Sequence, residues 1–329
     1  MIKFYFSHFY LILLCFLFVA CLSEKNNANK LQQEKKIVSI PKFNKDSAYY
    51  FVKKQVDFGP RFLSSKGWAN CSDWLEKKLK KYADTLIVQT APIITYDQKQ
   101  HKLKNFVASF SPEKNNRIAF FAHWDTRHVA DYDTINQDKP ILGANDGGSG
   151  VAVLLEIARM LKIKNPKIGV DIILFDAEDY GQPEQSMFPI MQDSWCLGSQ
   201  YWSKNPHKKN YYAKYGVLLD MVAGENAVFT YEEGSYYHAK DILDKFWKKA
   251  HQLGFGHHFS FQRTKQIIDD HYYINLLTAI PTIDIIEYDA GSKSNFNKHW
   301  HTHGDNMNNI NKKTMYAVGQ TLLEIIYTE

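Results

Sequence analysis

His123, Asp125, Asp146, Glu178, Asp179, Asp220, Asp269, Asp270 and His301 are the residues of this chain best equipped to do chemistry. Carboxylates mixed with imidazoles favour zinc, and a catalytic zinc keeps one coordination position open for substrate. Adjacent Glu178 and Asp179 cannot both point the same way from an extended chain end. One can therefore bind metal while its neighbour moves protons. Their placement is regular. Strand-like IAFFA runs into His123-Trp124-Asp125-Thr126, VDIILF into Asp176-Ala177-Glu178-Asp179, and GVLLD ends at Asp220. The apolar run after Pro281 is followed by a loop carrying Trp300-His301-Thr302.

The elements that must position these groups are legible as alternating patterns. Apolar residues at helical spacing predict helices over 46–56, 67–82, 150–163, 197–202, 236–253 and 312–327. Strands are predicted over 106–110, 117–122, 169–175, 216–222 and 282–287. Strands alternating with helices imply an α/β three-layer sandwich, with a mostly parallel twisted central sheet and helices on both faces. In such sheets ligands sit beyond the carboxyl ends of the strands. Gly147, Gly148 and Gly150 suit a tight turn into the helix after Asp146.

The 329 residues are 45% hydrophobic and 23% charged, which excludes collagen-like, coiled-coil and wholly disordered classes. Lys and Arg number 40 against 35 Asp and Glu, with no basic block, so nucleic acid is not an expected partner. At the amino end, Lys3 precedes an apolar run from Phe4 to Leu22. That is the grammar of a bacterial export signal over 1–21, and Phe18-Val19-Ala20-Cys21 resembles a lipobox with Cys21 as the lipid attachment. An uncleaved signal anchor is the alternative. The polar stretch 22–36 reads as a tether, and 37–329 as a single catalytic domain. The expected location is the bacterial cell envelope, lipid-anchored to the membrane and facing the periplasm. With Cys15 in the signal, Cys71 and Cys196 remain as a disulfide or as two buried thiols.

Five segments together, HWDT (123–126), GANDGGSG (143–150), DAED (176–179), LLDMVAG (218–224) and WHT (300–302), resemble the zinc aminopeptidase-like family. More narrowly, residues 45 to 329 look like the bacterial branch of the glutaminyl-peptide cyclotransferases. An acid at Asp269, Trp300 before His301, and Gly147 rather than a second acid after Asp146 favour that branch. The resemblance implies one zinc on Asp146, Asp179 and His301, with catalytic roles for Glu178, Asp220 and Asp269. Asp220 and Asp269 would hydrogen-bond to one another. Trp300 would line the substrate pocket, with Trp124 and Trp195 as further walls. Asp179 departs from the Glu of animal cyclases by one methylene. The implied reaction closes an N-terminal Gln of a peptide or protein to pyroglutamate and releases ammonia. The alternative is a two-zinc aminopeptidase, since His123 and Asp220 complete that ligand set. Outside the centre, His123 and Asp125 are expected to pair, Asp270 and His271 to open and cap a helix, and His257, His258, His299 and His303 to be surface residues.

Overall fold

Strands β3 (Arg117–His123), β4 (Gly169–Phe175), β5 (Gly216–Asp220) and β8 (Thr282–Ile286) are buried at every residue. Such strands need cover on both faces, and helices supply it. A computed structural model describes residues 39–329, of which Ile40–Glu329 form one compact unit. The signal, the tether and Cys21 lie outside the described residues.

The six-stranded sheet has the order β1-β2-β4-β3-β5-β8, where β1 is Thr85–Ile94 and β2 is Gln100–Phe110. β3 pairs in parallel with β4 and β5, and β5 in parallel with β8. β1 and β2 form an antiparallel hairpin, and β2 meets β4 antiparallel. All four parallel strands therefore end at one edge. A separate parallel pair joins β6 (Phe229–Glu232) to β7 (Phe259–Thr264).

Helices α1 (Lys45–Val56), α2 (Lys66–Tyr82) and α7 (Lys312–Thr328) gather around α3 (Gly148–Ile163). Side chains of Asn44, Ser65 and Asn311 cap α1, α2 and α7, giving their first amide groups acceptors. On the opposite face α4 (Leu197–Lys204) packs on α6 (Asp270–Leu277). Trp202 of α4 and Ile274 of α6 cover Phe121 and Phe175, whose rings stack 5.5 Å apart. Burying each such aromatic contributes about 1.5–3 kcal/mol. Helix α5 (Glu233–Gln252) closes the β8 side.

Asp171 is the one charge inside apolar β4. Its carboxylate accepts from Arg117, Ser109 and Tyr211, so the acid is buried fully partnered. Cys71 and Cys196 are separate buried thiols, which settles the sequence alternative against a disulfide.

Candidate active site

Left-handed backbone recurs in the loops around the common edge. Ala177, Cys196, Met221 and His301 hold left-handed backbone, with φ of 57°, 56°, 48° and 55°. Each conformation costs a residue with a side chain about 1–3 kcal/mol, and such residues gather where geometry matters to function. Gly147 also turns left-handed, and a Cβ there would lie 2.4 Å from the Asp125 carbonyl oxygen. Gly150 opens α3 against β5, where a Cβ would come within 2.2 Å of the Leu219 carbonyl oxygen.

Asp146, Glu178, Asp179, Asp220, Asp269, Trp195, Trp300 and His301 all line one cavity of about 210 Å³. Larger depressions elsewhere, such as that of about 430 Å³ beside Lys114 and Arg117, contain none of the clustered ligand-type side chains among the described residues. Within the cavity, ligand atoms of Asp146, Asp179 and His301 lie within 4.8 Å of one another. His301 Nε2 is 3.1 Å from Asp179 Oδ1 and 3.8 Å from Asp146 Oδ2. Zinc bonds of about 2.0–2.2 Å in a tetrahedron place donors about 3.3 Å apart. Asp146 Oδ2 and Asp179 Oδ2 are buried with no hydrogen-bond partner. Two orphaned carboxylate oxygens and an imidazole nitrogen lining one cavity fit that ion.

Electrostatics agree with the donor set. Burial, then the charge of Asp179, pushes the Asp146 carboxyl up to about 8. A divalent cation would reverse that penalty. His301 Nδ1 rests 3.1 Å from Asp131 Oδ1, leaving Nε2 for metal. Asp131 is in turn gripped by Arg127, which also donates to the carbonyl oxygens of Asp179 and Gly181. Asp305 accepts the backbone N–H groups of Asn145 and Asp146, at 2.7 and 3.0 Å. Buried Arg61 ties the carbonyls of Trp124, Leu142 and Gly143 together.

Glu178 sits beside this cluster. Burial drives its carboxyl well above the ordinary glutamate range; the His123 imidazole opposes that, and the charges of Asp179, Asp269 and Asp270 add to it. Asp269 is pushed up to about 6 by burial and by Asp220. Ligand-type atoms of Glu178, Cys196 and Asp269 lie within 4.8 Å of one another. His123 Nε2 is 3.1 Å from both Asp146 Oδ1 and Asp220 Oδ1. Burial alone would lower the His123 imidazole, yet Glu178, Asp125, Asp146 and Asp220 hold it well above the ordinary histidine range.

Several sequence expectations need correcting. Trp124 does not wall the pocket: it is fully buried against Trp68 and Phe106, and its N–H donates to the Lys104 carbonyl. His123 turns toward Asp146 and Asp220, so the next residue of the extended chain must face away. Asp125 does stand in ion-pair range of His123, at 3.6 Å, but its hydrogen bonds are made elsewhere: its carboxylate accepts the N–H groups of both Glu178 and Asp179 at 3.1 Å. Asp269 rather than Asp270 caps α6. Asp269 meets Asp284, and no bond joins it to Asp220 among the described contacts. His258 is buried with Nδ1 2.8 Å from the Ala227 carbonyl, and His299 and His303 are half-buried.

Residues absent from the sequence reading complete the centre. Asp284 of β8 lies 3.4 Å from His271 Nδ1, and Glu232 lies 3.1 Å from His271 Nε2. A lone acid inside apolar TIDII was a usable signal for Asp284. Asp131, Asp305 and Arg61 sit in loops and carried none.

Comparison with known proteins places the chain among relatives. Peptidase family M28 matches residues 105–326. The structure of a Bacteroides thetaiotaomicron glutaminyl cyclase bound to N-acetylhistamine superposes with a TM-score of 0.86 at 49% identity, over 88% of this chain and 100% of that one. A Zn-dependent exopeptidase from Parabacteroides distasonis gives 0.86 and 47%, with the same coverage. Curated relatives are spanned over less than two thirds of their length. The glutaminyl-peptide cyclotransferase of Gloydius blomhoffii is 24% identical over 66% of this chain and 63% of its own. With its metal-type ligands in loops gathered at one edge and the family match running through all of them, the chain belongs to peptidase family M28.

Proposed function

We propose that this chain is a zinc-dependent glutaminyl cyclase, converting the N-terminal Gln of a peptide or protein to pyroglutamate with loss of ammonia. The observation that carries the reading is a half-buried Glu178 carboxyl within 4.8 Å of the buried Asp269 carboxyl, beside the Asp146–Asp179–His301 cluster. The near-full-length likeness to a bacterial glutaminyl cyclase supports it. Zinc held by Asp146, Asp179 and His301 would supply a Lewis acid for the oxygen of the substrate's side-chain amide.

The remaining chemistry belongs to the chain. The substrate's own α-amine attacks its γ-carbonyl carbon, so no serine or cysteine nucleophile is needed. Glu178 accepts a proton from that amine as the ring C–N bond forms. It returns the proton to the amide nitrogen as the old C–N bond breaks and ammonia leaves. Its raised proton affinity suits a group that must both take and give a proton near neutrality. Asp269, with Asp284 and Asp220 near it, offers a carboxyl to the nitrogen. Trp300 stacks 3.7 Å from His301, and Trp195 lies parallel to His301 at 5.9 Å. These rings enclose the metal ligand in an apolar wall that keeps water from the reacting amide.

His123, Asp146 and Asp220 form a second ligand-type cluster, the observation that favours a two-zinc aminopeptidase. His123 Nε2 lies 3.1 Å from both Asp146 Oδ1 and Asp220 Oδ1, so the same contacts also serve an imidazole bridging two carboxylates beside a single metal. An ammonia-coupled assay on a Gln-initiated peptide, run with and without chelator, decides between them. Chelator-sensitive ammonia release with one zinc per chain supports the cyclase. Free amino acid release with two metals per chain overturns it. We further propose that Cys21 carries a lipid anchor holding the enzyme at the envelope; mass spectrometry of the mature amino terminus checks that assignment.

A further inference from the structure

We infer that Cys196 is a positioning residue for Glu178: its thiol holds one carboxylate oxygen so that the other is turned to the reacting amine. The inference rests on the cyclase reading for the role of Glu178, but the contact itself does not. Cys196 Sγ donates to Glu178 Oε1 at 3.3 Å. The other oxygen, Oε2, is the one 3.7 Å from His123 Nδ1. The backbones are locked in register, with Cys196 N–H donating to the Glu178 carbonyl and Leu197 N–H to the Ala177 carbonyl, both at 3.0 Å.

The conformation of Cys196 argues that its side chain is used. At φ 56° and ψ 33° it occupies a place where glycine would sit without strain. The residue present instead carries a side chain, which is fully buried, makes no disulfide, and reaches the one carboxylate that must move a proton. Burial and the Glu178 charge push the thiol well above its ordinary range, so it keeps the proton it donates. A thiol is a weak donor. It can therefore orient Oε1 without capturing the carboxylate.

Zinc-loaded full-length protein is assayed for ammonia release from a Gln-initiated peptide as wild type, Cys196→Ala, Cys196→Ser and Glu178→Gln. Cys196→Ala is expected to lose about 5- to 100-fold in kcat with KM nearly unchanged, the signature of a misaimed group. Cys196→Ser, which restores a donor, is expected to recover most of that loss. In parallel, the infrared S–H stretch of Cys196 is isolated as the difference between wild type and Cys196→Ser, and again in a Glu178→Ala background. A band that moves when Glu178 is removed supports the contact. An unmoved band overturns the inference, as does wild-type kcat in Cys196→Ala or failure of serine to rescue. If wild type releases no ammonia while the band still moves, the cyclase reading falls and the thiol–carboxylate contact stands.

Discussion

Glu178 can be separated from the metal ligands because its carboxyl faces the cavity while its neighbour Asp179 faces His301. Glu178→Gln is expected to retain zinc and the melting temperature while lowering kcat by about 10²- to 10⁴-fold, the range for losing a general acid–base. Metal analysis beside ammonia kinetics checks this, and a variant with wild-type turnover would dismiss the role. Glu178, Asp179 and Asp220 were readable in the sequence because each ends or closely follows an apolar strand, and Asp146 because it opens a glycine-rich turn. Trp124 was misread because adjacency along the chain was taken for adjacency in space, whereas extended backbone alternates faces. Asp131, Asp305 and Asp125 escaped or were misassigned for a related reason. They act on backbone amides and ring nitrogens across the fold, and nothing local marks such partners.

At the scale of elements, a tight constraint beside the site is the contact of α3 with β5 through Gly150. Gly150→Ala must place a methyl 2.2 Å from a backbone oxygen, so helix and strand have to separate. That change is expected to destabilise the fold by about 1–3 kcal/mol, and it shifts Asp146 and Asp220 together. Chemical denaturation and zinc content measured on one preparation check both effects; unchanged stability would show that the junction has slack. The central strands were legible because both of their faces are apolar. β1 was not, because most of it is at least half-exposed and Gln89, Thr90 and Pro92 interrupt it. β6 and β7 were missed because they are short, and exposed polar residues dilute β7; tertiary pairing rather than composition makes them strands.

For the whole molecule, pH acts through buried carboxyls. Burial pushes Glu287 up to about 7, so the folded state holds that proton more tightly than the unfolded chain does. Its penalty is absent below the ordinary glutamate value and grows as pH rises to about 7. Glu287→Gln is therefore expected to match wild type near pH 4.5 and to exceed it by roughly 1–3 kcal/mol at pH 8. Urea titrations at the two pH values check the sign. Asp146, at about 8 in the metal-free cluster, must lose a proton to bind zinc. Zinc should raise the melting temperature of the stripped protein more at pH 8 than at pH 6, by mass action on the folded state alone. Equal increments at the two pH values would show that Asp146 is already ionised without metal.

The carboxylate of Asp125 receives the amides of both Glu178 and Asp179. One anchor thus sets the aim of two neighbours with different jobs. Any drift at that anchor swings both at once, so mutational searches for tighter metal retention and for faster turnover will find the two traits travelling together.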